Sequence, residues 1–169
     1  MKKYALLDRD GTLIFEPQDT YQIDSLEKLQ LLDGVIEGLH LLLDNDFHLI
    51  MVSNQDGLGT ESFPTETFEE PQNAMLDIFR DAGIEFEKIF VCPHKPEDNC
   101  TCRKPKTGML DEWLKTADMD MEQSFVCGDR ITDHKLADNL GIACIQMPTN
   151  GNFGQAISSH LGTNNHPNS

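Results

Sequence analysis

Two aspartates, Asp8 and Asp10, lie one residue apart near the start of the chain, directly after a short apolar run. Gly11 and Thr12 follow them, which predicts a turn. Neighbouring carboxylates beside the exposed backbone of a turn can hold a divalent cation and a phosphate group. The segment therefore predicts a site for metal-assisted phosphate chemistry.

Polar side chains also follow later apolar runs. They are Ser53, Asn54, Lys104, Asp129 and Asp133. Taken singly, each is better explained as a turn, a strand-end cap or a solvated charge. If the runs are parallel strands, however, their carboxyl ends meet at one edge of a sheet, where ligands bind in such folds. The combination then predicts one site with several carboxylates, a hydroxyl and an ammonium group.

The elements that would position these residues alternate along the chain. Short, nearly unbroken apolar runs predict five strands that are covered on both faces. They are residues 3–7, 48–53, 88–92, 124–128 and 142–147. Apolar residues at helical spacing between the runs predict helices, so the fold class is α/β with a parallel central sheet and helices on both faces. Three long polar segments, 14–32, 55–71 and 93–107, are expected to form the pocket wall.

The length of 169 residues predicts one domain, expected at residues 1–161, followed by a polar tail at 162–169. A net charge of -16, from 13 basic and 29 acidic residues, opposes binding to nucleic acid or to an anionic membrane. No apolar run approaches the roughly 18 residues of a membrane span. These features favour a cytoplasmic protein that acts on a small molecule.

Four residues in one polar loop form a potential metal site. They are Cys92, His94, Cys100 and Cys102. Three thiolates and one imidazole complete a tetrahedral zinc site with no open position, so the pattern predicts a structural Zn²⁺ that fixes the loop carrying Lys104. The spacing differs from that of ordinary zinc fingers, and the alternative is a group of buried cysteines with a surface histidine. The polar neighbours of the cluster disfavour that alternative, because they make the loop unsuited to burying free thiols.

The whole pattern resembles the haloacid dehalogenase superfamily of aspartate-nucleophile phosphatases. The shared features are Asp-x-Asp-Gly-Thr, a strand that ends in serine, a lysine and Gly-Asp-x-x-x-Asp, in that order and over nearly the whole chain. The resemblance implies a Rossmann-like, three-layer α/β/α sandwich with a minimal cap. It also implies that Asp8 is the nucleophile that forms an aspartyl-phosphate and that Asp10 is the general acid and base.

The same resemblance gives roles to the other residues of the site. Mg²⁺, the expected catalytic cofactor, would be held by the Asp8 side chain, the Asp10 backbone carbonyl and Asp129. Asp133 would orient these ligands. The residues expected to bind the phosphate oxygens are Ser53, Asn54 and Lys104.

Longer stretches of the same segments indicate one family within this superfamily. They are Asp-Arg-Asp-Gly-Thr-Leu-Ile (8–14), Ser-Asn-Gln-Asp-Gly-Leu-Gly-Thr (53–60), Cys-Arg-Lys-Pro (102–105) and Gly-Asp-Arg-x-Thr-Asp (128–133). Together they closely resemble the histidinol-phosphate phosphatase domain of bifunctional histidine-biosynthesis enzymes. That family implies hydrolysis of L-histidinol phosphate to L-histidinol and phosphate, with a fused or separate dehydratase domain as partner.

Two alternatives remain open. Heptose bisphosphate 7-phosphatases resemble this chain in the zinc loop, but they usually have valine after the Asp-Gly pair and a Gly-Ile-Ala-Arg-Gly loop, where this chain has Thr12 and residues 57–60. A receiver-like signalling domain also has a parallel sheet, Mg²⁺ and a lysine. Its acceptor aspartate follows the third strand, however, and it needs no second aspartate like Asp10. Both comparisons favour the histidinol-phosphate interpretation.

Recognition of the histidinol end is expected from the loops. An acidic wall would suit its cationic groups, and Glu16 is the candidate by position alone, with Gln55 and Arg103 at the entrance. A solvated loop carboxylate explains Glu16 equally well. Alternation along an extended chain points the Arg9 side chain away from both aspartates, which predicts a structural or rim role for Arg9.

Overall fold

The computed structural model describes residues 1–164 of the chain, in which strands and helices alternate. In chain order the elements are β1 (Lys3–Leu7), α1 (Val35–Asp44), β2 (Phe47–Asn54), α2 (Thr65–Asp81), β3 (Lys88–Cys92), α3 (Asp111–Ala117), β4 (Phe125–Gly128), α4 (Ile131–Leu140), β5 (Ala143–Gln146) and α5 (Phe153–Asn164). The predicted α/β class is confirmed, and the bounds of all five predicted strands lie within one residue of those observed.

All five strands pair in parallel, in the order β3-β2-β1-β4-β5. β1 lies at the centre, where Leu7 pairs with Met51 of β2 and Cys127 of β4. The chain runs outward from β1 to β2 and β3 on one side, and from β4 to β5 on the other. The strand order therefore reverses between β1 and β4, which is the place where sheets of this kind bind ligands.

Two apolar cores cover the two faces of the sheet, because successive side chains of a strand point to opposite faces. On one face, Ala5 and Leu7 of β1 pack with residues of α1, α2 and α5. On the other face, Tyr4 and Leu6 pack with residues of α3 and α4. The result is the three-layer arrangement that the resemblance implied.

Helix α2 begins earlier than the sequence indicates. A loop was expected over residues 55–71, because the segment is polar and rich in glycine and glutamate. It also contains Pro71, which cannot donate a backbone hydrogen bond. The helix instead starts at Thr65 and contains the proline. Phe68 and Phe79 are buried along one side of this helix. Burial of such large side chains offsets the one hydrogen bond that the proline removes.

The two edge strands depart from the expectation that every strand is covered on both faces. Most residues of β3 and β5 are exposed or half-exposed, whereas those of β1, β2 and β4 are mostly buried. Apolar character alone does not distinguish an edge position from a central one. Helix α5 extends to Asn164, three residues into the expected tail at 162–169, and the rest of that tail lies outside the described residues. In the described part of the chain, no helix combines the length and the apolar character needed to span a membrane.

Candidate active site

The ends of β1 and β4 bring two carboxylates together where the strand order reverses. Asp8 follows β1 and Asp129 follows β4, and Thr12 Oγ1 lies 3.3 Å from Asp8 Oδ2 and 3.4 Å from Asp129 Oδ1. Gly11 turns the chain with a φ of 81°, and a Cβ at this position would lie 2.5 Å from Asp129 Oδ2. Glycine is therefore required here both for the left-handed backbone and for the close approach.

The ammonium group of Lys104 lies among acceptors from three segments. Nζ donates to Asp8 Oδ1 at 2.9 Å, to the Val52 carbonyl at 2.8 Å and to Asp133 Oδ1 at 2.8 Å. Burial alone would lower the pKa of this lysine, but the carboxylates of Asp133 and Asp8 outweigh burial and hold the pKa above its ordinary value. Lys104 therefore carries its positive charge at neutral pH although it is buried.

Side chains at the end of β2 support Lys104 and the aspartates. The Asn54 side chain pairs with the backbone of Lys104, accepting from its N–H at 2.9 Å and donating to its carbonyl at 3.3 Å. Ser53 Oγ accepts a hydrogen bond from Gln55 Nε2 at 2.7 Å. The three residues expected to bind phosphate thus lie at one edge of the sheet, and Asn54 also fixes the backbone of the lysine.

Asp8 and Asp10 have pKa values that are displaced in opposite directions. For Asp8, burial raises the pKa, but the Lys104 ammonium and several hydrogen bonds outweigh burial, so the pKa lies below its ordinary value. For Asp10, burial raises the pKa above its ordinary value, although Arg9 opposes this effect. A carboxyl group with a lowered pKa beside one with a raised pKa matches the division between a nucleophile and a general acid.

The position of Arg9 contradicts the rim alternative of the predicted structural or rim role, and also the prediction that its side chain points away from both aspartates. Its side chain is fully buried and donates from Nη1 to Asp10 Oδ1 at 2.9 Å. The strand has already ended at Leu7, and the chain then turns, so that the N–H groups of Leu13 and Ile14 donate to the Arg9 carbonyl. Strand alternation does not extend to residue 9, and Arg9 therefore lies beside Asp10 rather than away from it.

Three carboxylates form a group suited to a cation. Oxygens of Asp8, Asp129 and Asp133 all lie within 4.8 Å of one another. Burial, followed by the charge of Asp8, raises the pKa of Asp129 to about 7. Crowded carboxylates repel one another, and a hard divalent cation with oxygen ligands relieves that repulsion. The donor set therefore fits Mg²⁺.

The raised pKa of Asp129 predicts a pH-dependent affinity for Mg²⁺. Below about pH 7 a proton competes for this carboxylate, so the affinity should fall by about tenfold for each pH unit. Calorimetric titration of Mg²⁺ between about pH 5.5 and pH 8 measures this slope. Asp129→Asn is the matched control and should bind weakly with little pH dependence. A wild-type affinity that stays constant over the range would contradict the prediction.

The four residues of the cysteine cluster meet in the loop after β3. Cys92 Sγ lies 3.7 Å from Cys100 Sγ, 3.0 Å from Cys102 Sγ and 3.5 Å from His94 Nδ1. All four donor atoms lie within 4.8 Å of one another, and the three cysteines are free. The backbone N–H of Arg103 donates to Cys100 Sγ at 3.3 Å, which is the kind of support that thiolate ligands receive. The donor set fits a tetrahedral Zn²⁺.

A pocket of about 370 Å³ opens at this site. The residues expected to contact the substrate, Glu16, Gln55 and Arg103, all line it. Glu16 is paired with the Arg130 guanidinium, and Arg103 donates two hydrogen bonds to Asp56, at 3.1 and 3.0 Å. Glu16 thus has a cationic partner, Arg130, which sequence reasoning missed because it comes from a distant segment.

Tyr21 is a second pocket residue that sequence reasoning missed. It lines the pocket with an exposed ring, and the Arg130 guanidinium carbon lies 5.9 Å from the ring centroid. Its φ of 58° is in the left-handed region. Such a backbone conformation costs about 1–3 kcal/mol in a bulky residue and is concentrated at functional sites. The segment 14–32 thus contributes to the pocket wall, as its length predicted.

Comparison with known proteins identifies the family. Residues 3–149 match the family described as polynucleotide kinase 3 phosphatase. The chain belongs to this family. The sequence predicted a phosphatase that hydrolyses phosphoric monoesters, and membership in this phosphatase family confirms that activity class.

Two solved structures share the fold of this chain. D,D-heptose 1,7-bisphosphate phosphatase from B. bronchiseptica, complexed with magnesium and phosphate, is 28% identical, with a TM-score of 0.77 over 94% of this chain and 86% of that chain. A HAD-superfamily hydrolase from Ehrlichia chaffeensis is 18% identical, with a TM-score of 0.62 over 98% and 100% of the two chains. The haloacid dehalogenase fold that the sequence implied is confirmed.

A relative with much higher identity is a longer protein. The histidine biosynthesis bifunctional protein HisB of Actinobacillus pleuropneumoniae is 59% identical over 140 residues, which are 83% of this chain. The match covers 38% of the HisB protein. This chain thus spans well under half the length of that relative.

Proposed function

We propose that this chain hydrolyses L-histidinol phosphate to L-histidinol and inorganic phosphate in histidine biosynthesis. The observation that carries the proposal is the 59% identity to a HisB protein. The family match supports it, because residues 3–149 include the whole site from Asp8 to Asp133. The pocket of about 370 Å³ is of a size that suits a small phosphate ester.

Asp8 and Asp10 perform the first chemical step in this proposal. The Asp8 carboxylate, kept ionised by Lys104, attacks phosphorus and forms an aspartyl-phosphate while the bond from phosphorus to the histidinol oxygen breaks. Asp10 gives its proton to that oxygen, so L-histidinol leaves with an uncharged hydroxyl group rather than as an alkoxide. The raised pKa of Asp10 supports this assignment, since the group must be protonated at the start.

The second step restores both carboxyl groups. Asp10, now a carboxylate, takes a proton from a water molecule. The oxygen of that water attacks the phosphorus of the aspartyl-phosphate, and the bond between phosphorus and the Asp8 oxygen breaks. Inorganic phosphate leaves, Asp8 is again ionised and Asp10 is again protonated.

Other residues of the site bind and orient the transferring group. The residues that hold the phosphate oxygens are Ser53, Asn54 and Lys104. We assign the Asp8 side chain, the Asp10 carbonyl and Asp129 as the ligands of Mg²⁺, with Asp133 orienting them. When bound, Mg²⁺ neutralises charge on the phosphoryl oxygens. The magnesium and phosphate in the heptose bisphosphate phosphatase support this assignment.

The substrate is proposed to be a small molecule although the family name mentions polynucleotides. A net charge of -16 opposes the approach of a nucleic acid, whose binding depends on neutralising phosphates with basic residues. We place the cationic end of histidinol near Glu16, with Gln55 and Arg103 lining the entrance. All three line the pocket, which supports this placement.

Heptose bisphosphate 7-phosphatase is the second candidate function, because a solved enzyme of that kind shares the fold at 28% identity. We expect kcat/KM for L-histidinol phosphate to exceed kcat/KM for D,D-heptose 1,7-bisphosphate by about 100-fold or more. Phosphate release from both esters, measured with Mg²⁺ under the same conditions, tests the choice. A preference for the heptose ester would overturn the proposed substrate while leaving the phosphatase site in place.

We also propose a structural Zn²⁺ at Cys92, His94, Cys100 and Cys102, and predict one zinc per chain by metal analysis. Cys102→Ser should lose zinc and lower activity by about tenfold or more, since the loop that carries Lys104 is no longer fixed. Cys144→Ser is the matched control, because Cys144 lies in β5 and should leave the zinc content unchanged. Protein purified without chelator that contains no zinc would contradict the assignment.

The partner and the location are part of the same proposal. The HisB relative is a bifunctional protein and is much longer than this chain. We propose that a dehydratase domain, fused or separate, accompanies the phosphatase in the cytoplasm, where amino-acid biosynthesis takes place.

A further inference from the structure

Arg9 is a buried cation that the proposed reaction does not use. Its side chain has no exposed surface, and the single hydrogen bond of its guanidinium runs from Nη1 to Asp10 Oδ1 at 2.9 Å. Nε and Nη2 find no hydrogen-bond partner within residues 1–164. In the described part of the chain, the group that forms an ion pair with this guanidinium is the Asp10 carboxyl group.

This arrangement is poorly suited to stabilising the fold. A buried guanidinium with two unpaired N–H groups has lost its hydration without full compensation. Replacement of buried ion pairs by apolar side chains is often neutral or stabilising in proteins. The contact between Arg9 and Asp10 is therefore better explained by the chemistry of Asp10 than by the stability of the fold.

An aromatic side chain of α2 packs against the Arg9 guanidinium. The Arg9 guanidinium carbon lies 4.9 Å from the centroid of Phe68, at a distance typical of a cation–π contact. Phe63 packs edge-on against Phe68, with 6.0 Å between ring centroids, and both phenylalanines are buried. The guanidinium thus packs against a pair of buried aromatic rings.

The Asp10 carboxyl group is held at both oxygens. Arg9 donates to Oδ1, and Gln55 Nε2 donates to Oδ2 at 3.1 Å. Gln55 is itself fixed by its hydrogen bond to Ser53 Oγ. Because neither a guanidinium nor an amide nitrogen can accept a hydrogen bond, both oxygens act as acceptors, and the two donors together fix the orientation of the carboxyl group.

We propose that Arg9 is a positioning residue that holds the Asp10 carboxyl group in the orientation required for proton transfer to the leaving oxygen. The inference rests on the proposed role of Asp10 as general acid. Proton transfer requires hydrogen-bond reach between the acid and the leaving oxygen, and a small misplacement lowers the rate strongly. Without Arg9, Asp10 would be held by Gln55 alone.

Two phosphate esters that differ in their leaving group test this role. Benzyl phosphate releases a poorly acidic alcohol that must be protonated as it departs, whereas p-nitrophenyl phosphate releases a stable phenolate that needs no acid. The rate of leaving-group release in a single turnover should be measured for wild type, Arg9→Met, Arg9→Lys and Asp10→Asn. Arg80→Met, which changes an exposed arginine of α2, is the matched control.

Arg9→Met should lower the single-turnover rate on benzyl phosphate by about 30-fold or more and on p-nitrophenyl phosphate by less than about threefold, the pattern also expected for Asp10→Asn. Arg9→Lys, which keeps the charge, should recover part of the benzyl phosphate rate, and Arg80→Met should match wild type. The melting temperature of Arg9→Met should lie within about 5 °C of wild type, because Asp10 is protonated in its proposed role and is left without an uncompensated charge when the guanidinium is removed.

Equal losses on both esters, no loss on either, or failure of both Arg9 variants to fold would overturn the inference, because Arg9 would then act on another residue or on the fold. Neither ester contains histidinol. A protein that hydrolyses both esters but not L-histidinol phosphate would refute the proposed substrate and would leave the test of Arg9 intact.

Discussion

Replacement of Asp8 by asparagine is expected to lower phosphate release from L-histidinol phosphate by about 10⁴-fold or more. The amide oxygen of asparagine can still accept the hydrogen bond from Lys104, and its amide nitrogen can donate to the hydroxyl oxygen of Thr12, so the local geometry should persist. An amide cannot form the aspartyl-phosphate, however, and the remaining residues only bind and orient the ester. Steady-state phosphate release in the presence of Mg²⁺ measures the effect.

The interpretation of Asp8→Asn depends on the variant being folded. Its circular dichroism spectrum should match that of wild type. Asp77→Asn, which changes an exposed aspartate of α2 that pairs with Arg80, is the matched control and should retain full activity. If Asp8→Asn kept activity within about tenfold of wild type, Asp8 would not be the nucleophile.

Replacement of Lys104 by methionine is expected to impair both activity and stability. The ammonium group bridges the carboxylates of Asp8 and Asp133 at 2.9 and 2.8 Å in a buried position. Its removal leaves buried carboxylates without their cation, which typically lowers the free energy of unfolding by about 3–5 kcal/mol. It also removes a phosphate-binding charge, so kcat should fall by about 10³-fold. Denaturant unfolding and phosphate release measure the two effects.

The stability loss of Lys104→Met should become smaller as the pH falls. Without the ammonium, burial raises the pKa of Asp8 and Asp133 in the folded state above the values in the unfolded chain. The folded state then binds more protons than the unfolded state, so the free energy of unfolding increases as the pH falls. The loss should therefore be smaller at about pH 5 than at about pH 8.

Lys115→Met is the matched control for Lys104→Met, because Lys115 pairs with Glu112 on the exposed surface of α3. This variant should change neither stability nor activity, since surface ion pairs contribute little. A Lys104→Met protein as stable and as active as wild type would show that the ammonium has no role in holding the carboxylates.

Much of the site could be predicted from the sequence because its residues directly follow buried strands. Apolar runs located the five strands, and the carboxyl ends of parallel strands necessarily share one edge. Asp8 and Asp129 therefore lie close together, because β1 and β4 are neighbouring strands in the sheet. The cysteine cluster was predictable for a similar reason, since four zinc-type donors within 92–102 can meet without help from distant segments.

The residues that the sequence did not reveal depend on turns and on distant segments. Arg9 was misplaced because alternation applies to extended strands, and β1 ends at Leu7. The pairing of Glu16 with Arg130 joins segments that lie far apart in the chain, so neither residue predicts the other. The early start of α2 was not predicted because residues 55–71 are rich in glycine and glutamate, and a local argument does not include the burial that Phe68 gains.

The most direct test of the account is to trap the aspartyl-phosphate. Wild-type protein mixed with L-histidinol phosphate and Mg²⁺, quenched with acid within one turnover and digested, should give a phosphorylated peptide whose modification maps to Asp8 by mass spectrometry. Histidinol should be released in the same turnover. Release of phosphate with no modification of Asp8, or with a modification at another residue, would contradict the central claim that Asp8 receives the phosphoryl group.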